Sequence, residues 1–415
     1  MQTTSVIIIG AGPAGSAASI FLSKEKIPHV VLEKEVFPRD KVCGDACSGK
    51  TAEVLKKANP EWLQEIIAGA DKFLPCDGIT FVAPNGKALP IPFRLTPKKD
   101  NEVTGFTSPR LDLDYFLFQK TLSPYATVFQ QARKLSFEQL EGGSMKAGVE
   151  VNGKMMYFQA PVIIAADGDK SMVAKALRPQ SDHLKSYCVG LRAYYKGITE
   201  MDPRQFIELH FIKDFLPGYF WIFPLPNGRM NVGVGLLSEV VRKKKINLRD
   251  RMLDVIAHHP DLSRRFANAT LEGKIQGWGL PMAMEPKSLS GAHYLLTGDA
   301  AGLIDPFSGE GIGNALYSGM LAAFACRDAL QAGDYSADFF KTHYDDAVYR
   351  YFGDEFKISA TLQRLCKFPW LFNMVVNKSL KSKALRDTIS GMFGDMQVRN
   401  QLRKPSFYFN VLMNR

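Results

Sequence analysis

What this 415-residue chain lacks narrows the field first. It has no run approaching the roughly 18 uncharged apolar residues needed to span a bilayer, so no membrane-spanning helix is expected. Its six cysteines (Cys43, Cys47, Cys76, Cys188, Cys326 and Cys366) lack the density of a disulfide scaffold and suit a reducing cytoplasm. The seven histidines show no metal-ligand spacing, and no metal site is expected. The opening apolar run, Val6 to Ile9, stops at Gly10, too soon for a signal-peptide core, so export is not expected. Internal repeats and low-complexity tracts are missing as well.

What is present fits an ordinary globular enzyme. Apolar residues make up 46% and charged residues 23%, and the length suggests two or three domains. The net charge of +10 is uneven: residues 351–415 hold eleven Lys/Arg against four Asp/Glu. That tail also carries Phe368, Trp370, Leu371, Phe372, Met374 and Val375. A mixture of apolar and cationic residues suits an interfacial helix better than a phosphate track, so a peripheral membrane contact is expected and nucleic acid is not. A C-terminal helical cap with a solvated basic face fits the same residues.

Along the chain, Val6 to Ile9 reads as a buried parallel strand, Ala14 to Lys24 as a helix and Val30 to Glu33 as the next strand. Thr51 to Ala58 reads as a helix and residues 73–95 as short strands and turns. Leu111 to Leu122 is helical, with strands near Thr127 to Ala132 and Met155 to Ala165. Residues 186–237 alternate apolar and polar positions, as an antiparallel sheet does. Leu248 to Phe266 reads as one helix on that sheet, Tyr294 to Thr297 as a strand, and Asn314 to Leu330 with most of the remaining chain as helix.

The chemistry begins at Gly10-Ala11-Gly12-Pro13-Ala14-Gly15, a G-x-G-x-x-G between a strand and a helix, with Glu33 eighteen residues further on. Gly10 permits the tight turn, Gly12 lets the backbone approach a pyrophosphate, and Gly15 lets helix and strand pack closely. The helix N-terminus offers free N–H groups to the phosphates, and Glu33 can accept bonds from ribose hydroxyls. A dinucleotide is therefore expected here.

A second glycine-rich segment runs from Leu296-Thr297-Gly298-Asp299-Ala300-Ala301-Gly302 to Asp305-Pro306-Phe307-Ser308-Gly309-Glu310-Gly311-Ile312-Gly313-Asn314. It resembles the second FAD fingerprint of the para-hydroxybenzoate hydroxylase superfamily. The resemblance implies FAD, with Asp299 on the ribityl hydroxyls and Pro306 to Asn314 opening a helix beneath the isoalloxazine ring. A helix N-terminus there would stabilise an anionic reduced flavin. Asp167, in Ile163-Ile164-Ala165-Ala166-Asp167-Gly168, and Arg110, in Pro109-Arg110-Leu111-Asp112-Leu113, match marks of the same superfamily.

Two further motifs narrow the likeness. Tyr219-Phe220-Trp221-Ile222-Phe223-Pro224, followed by Gly233-Val234-Gly235, resembles the Y-x-W-x-F-P…G-x-G pattern of geranylgeranyl reductases. Lys41-Val42-Cys43-Gly44-Asp45-Ala46 is similar to their cysteine-bearing loop near the flavin. On a strand, Tyr219, Trp221 and Phe223 share one face and would form an aromatic wall for an apolar chain with π-bonds. On the residues alone, Cys43 fits a proton donor, a redox partner of Cys47 or a small packed side chain, and no disulfide is expected.

The expected fold is α/β: a discontinuous Rossmann-like FAD-binding domain (1–72, 106–180 and 290–330), an antiparallel-sheet substrate domain (73–105 and 181–289) and a C-terminal helical region (331–415). The expected catalytic set is Cys43, Tyr219 and Trp221. The expected cofactor-binding set is Gly10, Gly12, Pro13, Ala14, Gly15, Glu33, Lys34, Cys43, Gly44, Asp45, Arg110, Asp167, Gly298, Asp299, Pro306, Gly309, Gly311, Ile312 and Gly313.

The resemblance implies FAD-dependent reduction of double bonds in a long isoprenoid lipid or precursor, and the cysteine usage and the basic aromatic tail lead to the expectation of a cytoplasmic enzyme, peripheral on the inner face of the membrane. An isolated alkene is not electron-poor, so hydride delivery must be matched by protonation, through water near Cys43 or Asp45. A chain of about 20 carbons offers on the order of 16 kcal/mol of apolar burial at ~0.8 kcal/mol per CH₂. The reductant is NAD(P)H or ferredoxin, since no second nucleotide fingerprint is visible. A flavin monooxygenase or halogenase fits both FAD fingerprints equally, although the W-x-W-x-I-P element of halogenases is here Tyr219, Trp221 and Phe223-Pro224. A flavoprotein that carries a lipid or passes electrons is the third reading.

Overall fold

The computed structural model describes residues 1–93, 103–178 and 186–394. Val6–Ile9, with all four side chains buried, pairs in parallel with His29–Leu32 on one side and Val162–Ala165 on the other. Ala126–Phe129 extends the sheet beyond the first partner and Tyr294–Leu296 beyond the second, with Ser290–Gly291 as an antiparallel edge. Such unbroken apolar runs are what strands covered on both faces require. Pro13–Lys24 packs on the long helix Ile312–Ala332, and Gly319 permits it: a Cβ there would fall 2.1 Å from the Ala14 carbonyl oxygen. The two glycine-rich segments, some 300 residues apart, thereby open neighbouring helices.

A seven-stranded sheet runs in the order Thr270–Pro281, Tyr187–Lys196, Arg229–Leu237, Tyr219–Pro224, Ile207–His210, Gly78–Val82, Ala88–Pro92. All its pairings are antiparallel except that of Ile207–His210 with Gly78–Val82. Alternation sorts its side chains. Phe220, Ile222, Val232 and Val234 face one way, onto Met252 and Val255 of helix Leu248–His258. Ile79, Leu209, Trp221 and Phe223 face the other, where Val376 and Phe372 of helix Pro369–Lys381 join them.

Several elements differ from the sequence expectation. The helix expected over Leu248 to Phe266 is two, Leu248–His258 and Pro260–Arg265, because Pro260 has no N–H to continue the first. The strand expected over Met155 to Ala165 is also two, divided at Pro161. Lys154–Ala160 joins a four-stranded sheet with Gln2–Thr3, Arg133–Gln139 and Met145–Val151, while Val162–Ala165 enters the parallel sheet. The strand expected to reach Ala132 ends at Phe129, and helix Glu61–Ala68 was not anticipated. The domain boundary expected near 180 falls within 179–185, and the end of the basic tail is 395–415; both lie outside the described residues. Among the described residues no helix is long and apolar enough to cross a membrane.

Candidate active site

The parallel sheet, the seven-stranded sheet and the C-terminal helices enclose one cavity of about 1430 Å³. A pocket for one small ligand is about 300–1,000 Å³, so a cofactor and a second ligand have room together. Of the expected residues, Gly10, Gly12, Pro13, Ala14, Glu33, Lys34, Cys43, Gly44, Asp45, Arg110, Asp167, Tyr219, Trp221, Asp299, Gly309, Gly311 and Ile312 all line it.

Gly15, Gly298, Pro306 and Gly313 are not part of the lining, and the three glycines among them serve packing. A Cβ on Gly15 would fall 1.9 Å from the Gly10 carbonyl oxygen, one on Gly298 3.0 Å from Ala315 Cβ, and one on Gly313 2.9 Å from Lys50 Cβ.

At the dinucleotide end, Gly10 has φ +95°, and a Cβ there would meet the Ala166 carbonyl oxygen at 2.5 Å, so only glycine suits the turn. Glu33 is buried and holds this turn itself: its Oε2 accepts the Ala11 N–H at 2.7 Å and its Oε1 the Glu35 N–H at 2.9 Å. Gly12 N-caps helix Pro13–Lys24 without a side-chain cap, leaving the first-turn N–H groups for a ligand.

Arg39, not anticipated, lies over the same turn, its Nη2 3.6 Å from where a Gly12 side chain would begin. Asp114 anchors it at 2.7 Å and also accepts two bonds from Arg110, at 2.6 and 2.8 Å. Burial pushes the Asp114 carboxyl up, but Arg110 and then Arg39 outweigh it and hold the group below its ordinary range. A paired guanidinium over a helix N-terminus suits a pyrophosphate.

Asp299 forms an ion pair with Lys41 at 2.7 Å. Asp167 Oδ2 accepts the Met172 N–H at 2.8 Å, opening the next helix. Buried polar atoms without a partner among the described residues include Asp167 Oδ1 and Trp278 Nε1, and both residues line the cavity. Polar groups are seldom left in that state unless a ligand or water answers them. With the two glycine-rich helix openings and Arg39, this set fits FAD. Gly10, Gly12 and Arg39 would hold its pyrophosphate, and Asp299 and Gly311 its flavin end.

At the apolar end, the spacing of the aromatic motif has a direct cause. Trp221 pairs across strands with Gly233, and Tyr219 with Gly235. A Cβ on Gly233 would lie 2.1 Å from Trp221 Cζ2, so glycine lets the indole lie flat on the neighbouring strand. Gly44 gives the same freedom from the other side, with Phe223 Cε2 only 3.1 Å from its would-be Cβ. Ile79, Ile207, Leu209 and Phe307 complete the apolar lining.

The Tyr219 hydroxyl donates to the Ser308 carbonyl at 2.7 Å, tying the aromatic strand to the second glycine-rich segment. All six cysteines are free thiols. Cys43 lies beside Arg110, while burial holds the Cys47 thiol far above its ordinary range.

Sequence reading missed Asn231, Tyr194 and the C-terminal wall. The buried Asn231 accepts the Trp221 Nε1 proton at 2.8 Å and donates to the Cys43 carbonyl at 2.7 Å and to Asp45 Oδ2 at 2.8 Å. Tyr194 donates to the same Oδ2 at 2.7 Å. Helix Asp346–Leu365 contributes Tyr351, Glu355, Ser359 and Leu362 to the cavity. Polar Ser359 and Gln363 in its otherwise apolar buried stripe were the available signal.

Residues 3–323 match the model of the FAD binding domain family, more than three quarters of the chain. A menaquinone reductase of Mycolicibacterium smegmatis is 29% identical over 332 residues, covering 77% of this chain and 75% of its own. A digeranylgeranylglycerophospholipid reductase of Thermoplasma volcanium is 28% identical over 338 residues, 81% of each chain. Among solved structures, a geranylgeranyl bacteriochlorophyll reductase-like protein of Thermoplasma acidophilum superimposes with TM-score 0.79 at 22% identity, covering 97% of this chain and 99% of its own. A flavin-dependent brominase does so with TM-score 0.75 at 21% identity, covering 99% of both. At those identities the two structures speak for the fold alone.

Proposed function

Because the chain belongs to the FAD binding domain family and is an FAD-dependent oxidoreductase, we propose that it reduces carbon–carbon double bonds in the long isoprenoid chain of a lipid or lipid precursor. The observation that carries this reading is Trp221 lying flat over Gly233 and facing the cavity that also holds both glycine-rich turns. The two relatives are named for a menaquinone and for a digeranylgeranyl glycerophospholipid. Those two lipids differ in headgroup and share a long polyprenyl chain.

Bound FAD would supply hydride at this position, and NAD(P)H or a ferredoxin would reduce it. The protein's own contribution is orientation and dryness. The aromatic wall and the apolar residues from Ile79, Ile207 and Leu209 fix a prenyl chain by its flat, greasy faces. Lys41 and Arg39 keep the polar end of the cavity suited to the cofactor.

The turn joining the helices that wall the apolar end leaves Phe368 50% and Trp370 65% exposed, with Lys378 and Lys381 on the helix that follows. Aromatic rings with cations behind them suit an anionic lipid surface, from which a prenyl substrate would be drawn.

The test is direct. FAD-loaded protein, reduced anaerobically with dithionite, is mixed with geranylgeraniol, and the product is read by mass spectrometry. A gain of two hydrogens per reduced double bond is expected. An unchanged geranylgeraniol and an unchanged menaquinone, together with oxygen consumption stimulated by an aromatic compound, would replace this reading with a monooxygenase.

A further inference from the structure

Asp45 meets the cavity in an uncommon posture. It is fully buried, and its backbone sits at φ +65°, a region that most side chains avoid but Asp tolerates. Its carbonyl accepts the Ser108 N–H at 2.9 Å, which fixes the turn. Both Tyr194 and Asn231 donate to one carboxyl oxygen, Oδ2, at 2.7 and 2.8 Å. The other oxygen, Oδ1, is buried and has no partner among the described residues. The neighbouring Gly44 abuts Phe223 and Trp221. Asp45 also belongs to the cavity lining, and a buried carboxyl with one oxygen pinned and the other unanswered is built to hold a proton there.

The other candidates fit less well. The Tyr219 hydroxyl already donates its proton to the Ser308 carbonyl. Cys47 is buried, and burial makes its thiol a far weaker acid. Cys43 is engaged in a side-chain hydrogen bond with Arg110.

We propose, on the reading that the substrate is an isoprenoid alkene, that Asp45 is the acid that protonates the double bond, with Tyr194 and Asn231 as its positioning residues. The Asp45 O–H bond breaks, and the π pair forms a new C–H bond at the less substituted alkene carbon. The more substituted carbon receives hydride from reduced FAD, so the alkene gains two electrons and two hydrogens at the flavin's expense. Asp45 is left as a carboxylate and recovers its proton from solvent. Positive charge developing on the substituted carbon faces the rings of Trp221 and Phe223, which stabilise it.

The electrostatics agree. Burial pushes the Asp45 carboxyl up to about 6, against lowering by the Tyr194 hydroxyl, Arg192, the Asn231 amide and Arg110. A useful share is therefore protonated near neutral pH, as a general acid needs.

The test uses the FAD-loaded protein with Asp45→Asn, Tyr194→Phe and Cys43→Ser. Infrared difference spectra without substrate should show a carboxylic C=O band titrating near pH 6, absent in Asp45→Asn and titrating at higher pH in Tyr194→Phe. In single turnovers with geranylgeraniol, Asp45→Asn should slow reduction by about 10²–10⁴-fold, with FAD absorbance retained. The alkaline limb of the rate should move upward in Tyr194→Phe, and Cys43→Ser should keep the wild-type limb.

Asp45→Asn turning over within about threefold of wild type, or persistence in it of the band that titrates near pH 6, overturns the proposal. If wild-type protein reduces no prenyl probe, the substrate reading fails, and the infrared titration still decides whether Asp45 is the poised acid of this cavity.

Discussion

Asn231 binds Asp45 at 2.8 Å with the same amide nitrogen that reaches the Cys43 carbonyl, while its oxygen takes the Trp221 indole proton. One buried amide thus joins the aromatic wall to the loop that borders the dinucleotide end. Asn231→Ala would leave three buried polar groups short of a partner, each costing about 1–3 kcal/mol in part. A net loss of about 2–4 kcal/mol in urea-unfolding stability is expected, with at least tenfold slower turnover. An asparagine-to-alanine variant as stable as wild type would show that the bridge is incidental.

The raised pKa of Asp45 sets a pH dependence of stability. Its carboxyl lies at about 6 when folded, against an ordinary 3.8. Between those values the folded protein retains a proton that the unfolded chain has released, so stability falls as pH rises from about 4 to about 6. The fall is complete above that window and totals about 3 kcal/mol at ~1.4 kcal/mol per unit. The groups facing Asp45 are Tyr194, Asn231, Arg192, Arg110 and Cys47. Asp45→Asn cannot titrate there, so the stability of wild type relative to this variant should drop by about that amount between pH 4 and pH 7. Denaturant midpoints of both proteins at the two pH values check it, and a constant difference would mean that Asp45 titrates normally.

Gly233 is predicted to be intolerant of even one methyl group. Its added Cβ would lie 2.1 Å from Trp221 Cζ2 and 2.2 Å from the Leu191 carbonyl oxygen, and the second contact is backbone that cannot step aside. Gly233→Ala should cost about 3 kcal/mol or more through overpacking and shift the fluorescence of the displaced indole. FAD binding should survive, since the atoms the added Cβ would meet belong to Trp221 and Leu191 and not to the glycine-rich turns. Unchanged fluorescence and turnover would detach the glycine pair from the aromatic wall.

Much of this was legible in the chain because the signals are local. A strand, a glycine turn, a helix and Glu33 fall within 33 residues, and period-two alternation sorted Trp221 from Ile222 correctly. Asn231 was not legible, because its three partners come from residues 43, 45 and 221, and nothing in its neighbourhood marks an inward asparagine. Tyr194 was hidden for the same reason, its role depending on a loop 149 residues earlier. The split at Pro260 was in plain view as a helix breaker. Glu33 turned out to support the turn as well as face the cavity, since short-range spacing predicts who is near the ribose and not which backbone N–H has claimed the carboxylate first.

The exposed turn between the two C-terminal helices yields the last prediction. Trp370 is 65% exposed and Phe368 50%, yet the helix that begins here buries Val376 against the cluster containing Trp221 and packs Phe372 at a tilt on Phe211, 4.2 Å between ring centroids. The inner face of this helix is therefore committed to the apolar wall, and the exposed rings at its start can meet something else. Lys378 and Lys381 add charge, each worth about 1 kcal/mol near an anionic surface. Trp370→Ser should weaken sedimentation with vesicles of anionic phospholipid by about tenfold, and raising salt should weaken the wild type further. FAD content and turnover of detergent-dispersed geranylgeraniol should stay near wild type, because the indole lies outside the cavity lining. Vesicle binding that is indifferent to both the indole and the salt would remove the lipid surface as the partner of this turn and leave the helix with a purely internal task.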